Sequence, residues 1–370
     1  MASLNDTAEE EHLRSLLRNI LYLVSVGLAL HLLLPQLPGI TRSVRLVLHA
    51  DTPAMVAAFL SEILRNVCYS ELLGRSVGTA AGIGASPGSR RQSGIGFWYM
   101  LRLTLSGLGA SKVLPGGGAA AATVTYGGLR KKNVPPRRAG LALAAATALS
   151  YATLGVLFAA SAAYMLAHGE HGAASLGTAF AGLFVAAVLL CGGYAAYRNP
   201  GVSEKALARA IELSRRIPGL GGGREPARLR AARIVDRTRE ELRAMFRQVG
   251  EDPAEAWRLV ALACGYWAFD ALCLILMFRA FEVRAGTVGL LVSYGLATTA
   301  ASLPITPGGI GVFETLMLGT LALLGTGSEA VVPVLGYRIL NFWLPIPLAA
   351  VLYPTLNLGQ RKSRRRRHRA

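Results

Sequence analysis

The chain has 370 residues, is 52% hydrophobic with a mean hydropathy of +0.41, and carries a formal net charge of +18. A composition this apolar excludes an ordinary soluble domain, and the apolar residues run continuously rather than alternating, which excludes a β-barrel. The expected fold class is therefore all-α, a polytopic membrane protein.

In chain order, residues 1–16 form a polar N-terminal segment. The run "ILYLVSVGLALHLLLP" (20–35) marks a first span at about 17–34. It reads as retained rather than as a cleaved signal peptide, because it is long, follows acidic residues as well as Arg14 and Arg18, and is closed by no small-residue cleavage site. A weaker second span, about 53–73, contains Glu62 and Arg65. The Gly/Ser/Pro-rich "GRSVGTAAGIGASPGSRR" (74–91) reads as a basic loop. A third apolar segment, about 94–114, holds Arg102 and runs into "LPGGGAAAATVTYGGLRKKNVPPRR" (114–138). Strong spans at 141–167 and 176–197 complete a first membrane half, 17–197. Residues 198–256 read as a cytoplasmic amphipathic linker, with helices near 203–217 and 226–248 lying on the membrane surface. The second membrane half, 257–355, has spans at about 257–280 and 286–303, a break, a short helix at 311–325 and a last span at 330–354. A basic tail, 356–370, closes the chain.

The placement of charge sets the expected orientation. The segment 198–258 carries fourteen Lys and Arg and the last ten residues carry seven, whereas "LAHGEHGAAS" (166–175) carries none. Positive residues stay on the cytoplasmic side. The linker and both termini are thus expected inside a multi-pass cell-membrane protein. The basic tail reads as a topology signal that also attracts anionic headgroups, not as a nucleic-acid site.

Motifs for chemistry are few. Cys68, Cys191, Cys264 and Cys273 sit in apolar segments without a CxxC and read as core residues. His168 and His171 share a short loop with no third ligand, so no metal and no cofactor is expected. "GLGGG" in the linker lacks the GK[ST] of a phosphate-binding loop. The chain shows no HExxH and no paired DxD, and it is expected not to be an enzyme.

What stands out is the pair of breaks in apolar sequence. "PGGGAAAATVTYGG" (115–128) and "PGGIGVFETLMLGT" (307–320) align Pro115, Gly116 and Gly117 with Pro307, Gly308 and Gly309. The helical piece after the first break has about twelve residues, roughly 18 Å, too short for a ~30 Å hydrocarbon core. Segment 94–129, flanked by basic residues on both sides, is expected to enter from the cytoplasm and return. Segment 286–325 is expected to enter from outside and return there. Two opposed re-entrant hairpins make an inverted-topology repeat.

A helix that starts inside the membrane directs unpaired N–H groups and a partial positive charge forward, and glycines let a ligand approach them. Glu62, Arg65, Arg102, Asp270, Glu314 and Arg338 lie within or near the spans. Such charges are costly in lipid and face a cavity or one another. Glu62 and Arg65, three residues apart, suit a local pair. Glu314 suits either a helix cap or a ligand site. Arg338 and Asn341 share a helix face that can meet Glu314 or a lipid phosphate. The candidate headgroup-binding set is thus Glu62, Arg65, Arg102, Pro115, Gly116, Gly117, Asp270, Pro307, Gly308, Gly309, Gly311, Glu314, Arg338 and Asn341.

The block from Pro304 to Glu314, "PITPGGIGVFE", resembles the transmembrane region of lysylphosphatidylglycerol synthases and their stand-alone flippase-like relatives. The "LPGG" at Leu114–Gly117 is similar to the first-half motif of that family, and the resemblance covers about 15–355. It departs in two places: "GAAAA" follows the first break where the family often has an acidic or polar residue, and a soluble aminoacyl-transfer domain is not expected. The resemblance implies movement of a polar lipid headgroup across the membrane. The expected ligand is an anionic phospholipid or a polyprenyl-phosphate-linked lipid. The alternative is a membrane partner that presents lipid to a glycosyltransferase or lipid-modifying enzyme without transporting it.

Overall fold

The computed structural model describes residues 50–82, 95–114, 117–168, 198–215, short stretches between 226 and 243, 252–302 and 306–356. The expected spans at 17–34 and 176–197, Pro115 and Gly116, most of the second linker helix and the basic tail lie outside the described residues. Every described element is helical.

The first, α1 (Thr52–Gly82), shows why the chain belongs in lipid. Its exposed face carries Val56, Phe59, Leu60, Ile63 and Leu64, while Ser61, Glu62, Arg65, Asn66 and Ser70 are buried. Helical spacing thus sorts apolar residues outward and polar ones inward, the reverse of a soluble helix. The helix also runs nine residues past its expected end. The Gly-rich sequence after 73 was expected to turn, yet Ser76, Val77 and Ala80 are buried and the Ser76 and Thr79 hydroxyls donate to Leu72 and Arg75 carbonyls. Packing of Val77 and Ala80 in one cluster with Tyr99, Met100 and Leu103 outweighs the low helix propensity of the three glycines.

Two short helices follow, α2 (Phe97–Val113) and α3 (Gly118–Lys131). Leu114 is extended, as the residue before a proline must be. After a turn through Asn133, which adopts a positive φ of 61°, α4 (Pro136–His168) begins at a proline whose missing N–H costs nothing in a first turn. The linker contributes α5 (Pro200–Arg215).

The second half opens with α6 (Pro253–Ala280), capped by Asp252, whose side chain accepts from Glu255 N at 3.3 Å. Glu255 also pairs with Arg75 at 3.0 Å and so ties α6 to α1. Then come α7 (Thr287–Ser302), a tight turn at Pro307–Gly309, α8 (Val312–Leu323) and α9 (Val331–Arg338). From α9 the chain passes through a π-helical turn, Ile339–Trp343, into α10 (Pro345–Thr355). Among the described residues three helical stretches, Pro136–Ala167, Pro253–Ala280 and Ser328–Thr355, are long and apolar enough to cross a membrane. At 16 and 12 residues, α7 and α8 are too short to span singly.

The helix contacts repeat between the halves. The central pair is α1 with α6; α2 lies on α10 as α7 lies on α4. The hairpin α2–α3 corresponds to α7–α8, and α1 on α4 corresponds to α6 on α9. Exchanging the halves therefore carries each of these contacts onto another, with the two broken hairpins in equivalent places.

Candidate functional site

The two breaks meet. The turn at Pro307–Gly309 packs on α2 and α7. Thr306 and Ile310 hold it from both ends, through Thr306 Oγ1 donating to the Ile310 carbonyl at 2.9 Å and Gly309 N to the Thr306 carbonyl at 3.2 Å. Gly308 has a φ of 58°, and a Cβ there would run into the Phe342 ring and lie 3.1 Å from the Lys112 backbone. Only glycine accepts both the backbone conformation and this approach.

Around this junction lies a cavity of about 380 Å³ lined from α1, α2, α3, α4, α6, α7, α9 and the π turn. Its wall from the first break is bare: Gly117, Gly118, Ala121 and Ala122. Gly117 takes a φ of 39°, and no side chain among the described residues caps the N-terminus of α3. The second break is closed differently. Glu314 Oε2 accepts from Gly311 N at 2.8 Å, satisfying the α8 terminus, and Oε1 accepts from Arg338 Nε at 2.6 Å. One helix N-terminus thus faces the cavity open and the other is occupied by a carboxylate of the chain itself.

A second polar group is centred on Asp270. Its Oδ1 accepts from Asn341 Nδ2 at 2.7 Å and from the Tyr337 hydroxyl at 3.0 Å, and its Oδ2 accepts from the Tyr294 hydroxyl at 2.5 Å. Arg65 Nη2 donates to the Tyr266 hydroxyl at 2.8 Å, and Nη1 pairs with Glu62. Arg65 Nε lies 3.5 Å from Asp270 Oδ1, within ion-pair range but without a hydrogen bond. Glu62, Arg65, Asp270 and Arg338 are 4%, 3%, 2% and 4% exposed, so their charges must be met by one another or by a ligand. The π turn serves this arrangement. Leu344 N bonds to the Ile339 carbonyl, one residue further back than in an α-helix, and the extra residue lies in the segment that directs Tyr337, Arg338 and Asn341 inward.

Of the fourteen residues the sequence singles out, Arg65, Gly117, Asp270, Gly308, Arg338 and Asn341 line the cavity. Glu62 and Glu314 hold lining arginines from behind, and Pro307, Gly309 and Gly311 shape the second break. Arg102 is not brought to the cavity. It stands on another face of α2, where its Nε donates to the Trp98 carbonyl at 3.1 Å. Sequence reasoning missed Lys112, which lines the cavity with its Nζ 5.3 Å from the Phe342 ring centre and has no carboxylate partner among the described residues. A lysine three residues before a membrane-buried Pro-Gly-Gly was the available signal. It also missed a hydroxyl lining. Thr104 Oγ1, Ser150 Oγ, Thr298 Oγ1 and Arg338 Nη2 are buried without a hydrogen-bond partner among the described residues, and all four residues face this cavity.

The model of the family described as "Lysylphosphatidylglycerol synthase TM region" matches residues 20–349. The chain belongs to that family. Other proteins of similar sequence are matched over shorter stretches. The chain is 32% identical over 95 residues to a UPF0104 membrane protein of Methanothermobacter thermautotrophicus, covering 25% of this chain and 27% of that protein. It is 33% identical over 73 residues to an uncharacterized protein of Synechocystis sp., covering 20% of this chain and 23% of that protein. Each match spans about a quarter of the relative's own length. Family and apolar helices together make this a membrane protein.

Proposed function

We propose that this protein binds the phosphate of an anionic lipid in the cavity between its two helix breaks and carries the headgroup from one leaflet to the other. The observation that carries the reading is the convergence of Lys112, the unpartnered Nη2 of Arg338 and the open N-terminus of α3 on one cavity. A phosphate is suited to meet all three, since ammonium, guanidinium and helix N–H groups each donate to its oxygens. The hydroxyls of Thr104, Ser150 and Thr298 supply neutral contacts to the rest of a headgroup. On this reading the halves are inverted in the membrane, the linker and both termini are cytoplasmic, and the lipid tails stay in the bilayer while the headgroup crosses. The chain acts by binding and release, without chemistry on the lipid.

The direct test uses proteoliposomes containing fluorescent anionic lipid in both leaflets, with a membrane-impermeant quencher. Faster loss of inner-leaflet protection than in empty vesicles, slowed by Lys112→Met, is expected. Rates equal to empty vesicles across phosphatidylglycerol, phosphatidylinositol and a polyprenyl phosphate would refute it.

A further inference from the structure

We infer that anion binding in this cavity is accompanied by uptake of a proton on Glu62, so that translocation is proton-coupled. The inference rests on the anionic-headgroup reading above and adds the coupling ion to it. The argument is one of charge balance. Lys112, Arg65 and Arg338 are the cations on the cavity wall, and Glu62, Asp270 and Glu314 are the carboxylates that hold or face them. With all six ionised the cavity is neutral. A phosphodiester adds one negative charge, and an uncompensated charge at this depth is costly. A cation must enter with it.

The geometry says which cation and where. Both oxygens of Asp270 already accept hydrogen bonds, from Tyr294 on one and from Tyr337 and Asn341 on the other. Glu314 is likewise held by Gly311 N and Arg338. Among the described residues, Glu62 alone keeps a buried carboxylate oxygen, Oε2, without a hydrogen-bond partner. Its Oε1 is met by Arg65 and, at 3.4 Å, by Asn66 Nδ2. From the packed elements the charged and titratable groups that act on it are Asp270 and Cys273 on α6, Tyr337 on α9 and Lys112 on α2. A metal cation would need several acceptor oxygens together. The groups here are mostly donors, and the described residues contain no cluster of three metal-ligating side chains. A proton needs only Oε2. It is drawn from the acid form of the bulk buffer, whose conjugate base stays in solution; it converts the Glu62 carboxylate to the neutral acid, ends the Glu62–Arg65 ion pair and leaves Arg65 to Asp270, with no covalent bond changed other than the new O–H.

The test uses the full chain in detergent and dihexanoyl-phosphatidylglycerol, a phosphodiester that brings no titrating proton of its own near neutral pH. Calorimetric titrations in two buffers of different ionisation enthalpy read protons taken up per lipid bound. About one is expected, and the infrared band of a protonated carboxyl should appear with lipid. In Glu62→Gln the uptake per lipid bound and the band should both be lost. Lipid binding with buffer-independent heat and no new band in the wild-type chain overturns the inference while leaving the headgroup reading intact. So does uptake that persists in Glu62→Gln and vanishes in Lys112→Met, which places the proton on the lysine, and so does binding that requires sodium at fixed pH. No binding of this or any other short-chain anionic lipid overturns both.

Discussion

Lys112→Met is the substitution with the most to say about the cavity, because it should move stability and affinity in opposite directions. Lys112 lines the cavity, its ammonium group rests against the Phe342 ring, and no carboxylate among the described residues neutralises it. Methionine keeps the length and most of the packing. In the ligand-free protein the change removes a charge that pays for its position with little in return, so the fold should gain on the order of 1 kcal/mol, as functional-site charges tend to cost stability. With an anion present it removes a charged hydrogen bond, worth about 1.5–3 kcal/mol, or a weakening of about 10- to 100-fold in Kd. Thermal unfolding of the purified protein reads the first effect, and titration with short-chain phosphatidylglycerol reads the second. A variant that is less stable than the parent and binds lipid equally well would show that Lys112 is structural and that the phosphate subsite lies elsewhere.

Other consequences follow from single contacts. Glu314→Ala leaves Arg338 buried without its partner and α8 without its cap, so it should cost about 3–5 kcal/mol; the double variant Glu314→Ala with Arg338→Ala should lose less than the sum, and additive losses in thermal unfolding would deny the pairing. Gly308→Ala places a Cβ against Phe342 and the Lys112 backbone at a positive φ, and should cost more than about 1 kcal/mol and reduce folded yield; wild-type stability would show that the two breaks do not touch. On the proposed inverted arrangement Val283 and Ser328 lie outside, so single cysteines there should react with impermeant thiol reagents from the outer face; labelling of both only from the cytoplasm would overturn it.

Much of the fold was legible because lipid leaves the chain few choices. Apolar runs must be helices, since backbone groups have no water to bond, and the segments read at 257–280 and 286–303 appear as α6 and α7 nearly residue for residue. Both breaks were legible because Pro and Gly act locally. The end of α1 was not: glycines at 74, 78 and 82 suggest a turn, and only the burial of Val77 and Ala80 against α2 shows why the helix continues. The cavity was half legible. Charges within spans point to Arg65, Asp270 and Arg338, because few fates are open to them in a membrane. Arg102 satisfies the same rule yet stands on the opposite face from Thr104 and Ser111, a distinction that depends on the rotation of α2. Which cation lacks a partner is a property of the assembled set, and no single stretch of sequence contains it.

The difference between the two breaks then takes on meaning. Exchange of the halves makes them equivalent in their helix contacts, yet one is followed by Val312, Phe313 and Glu314 and the other by a run of alanines. A carboxylate at the start of α8 satisfies that terminus from within the chain. Alanines at the start of α3 cannot, so the positive end of that helix is left for whatever occupies the cavity. A repeat with two equal breaks would offer two like sites across its axis. Here the Glu314–Arg338 pair fills one of them, and the remaining donors, Lys112 and the α3 terminus, belong to the other. On the proposed reading, the sequence departure at "GAAAA" is what makes the site single and displaces it toward the first hairpin. Restoring symmetry tests this directly: Ala120→Glu, at the third helical position of α3 as Glu314 is of α8, should cap that terminus and abolish anion binding while raising thermal stability by about 1 kcal/mol. Retained lipid affinity in that variant would place the anion away from the first break.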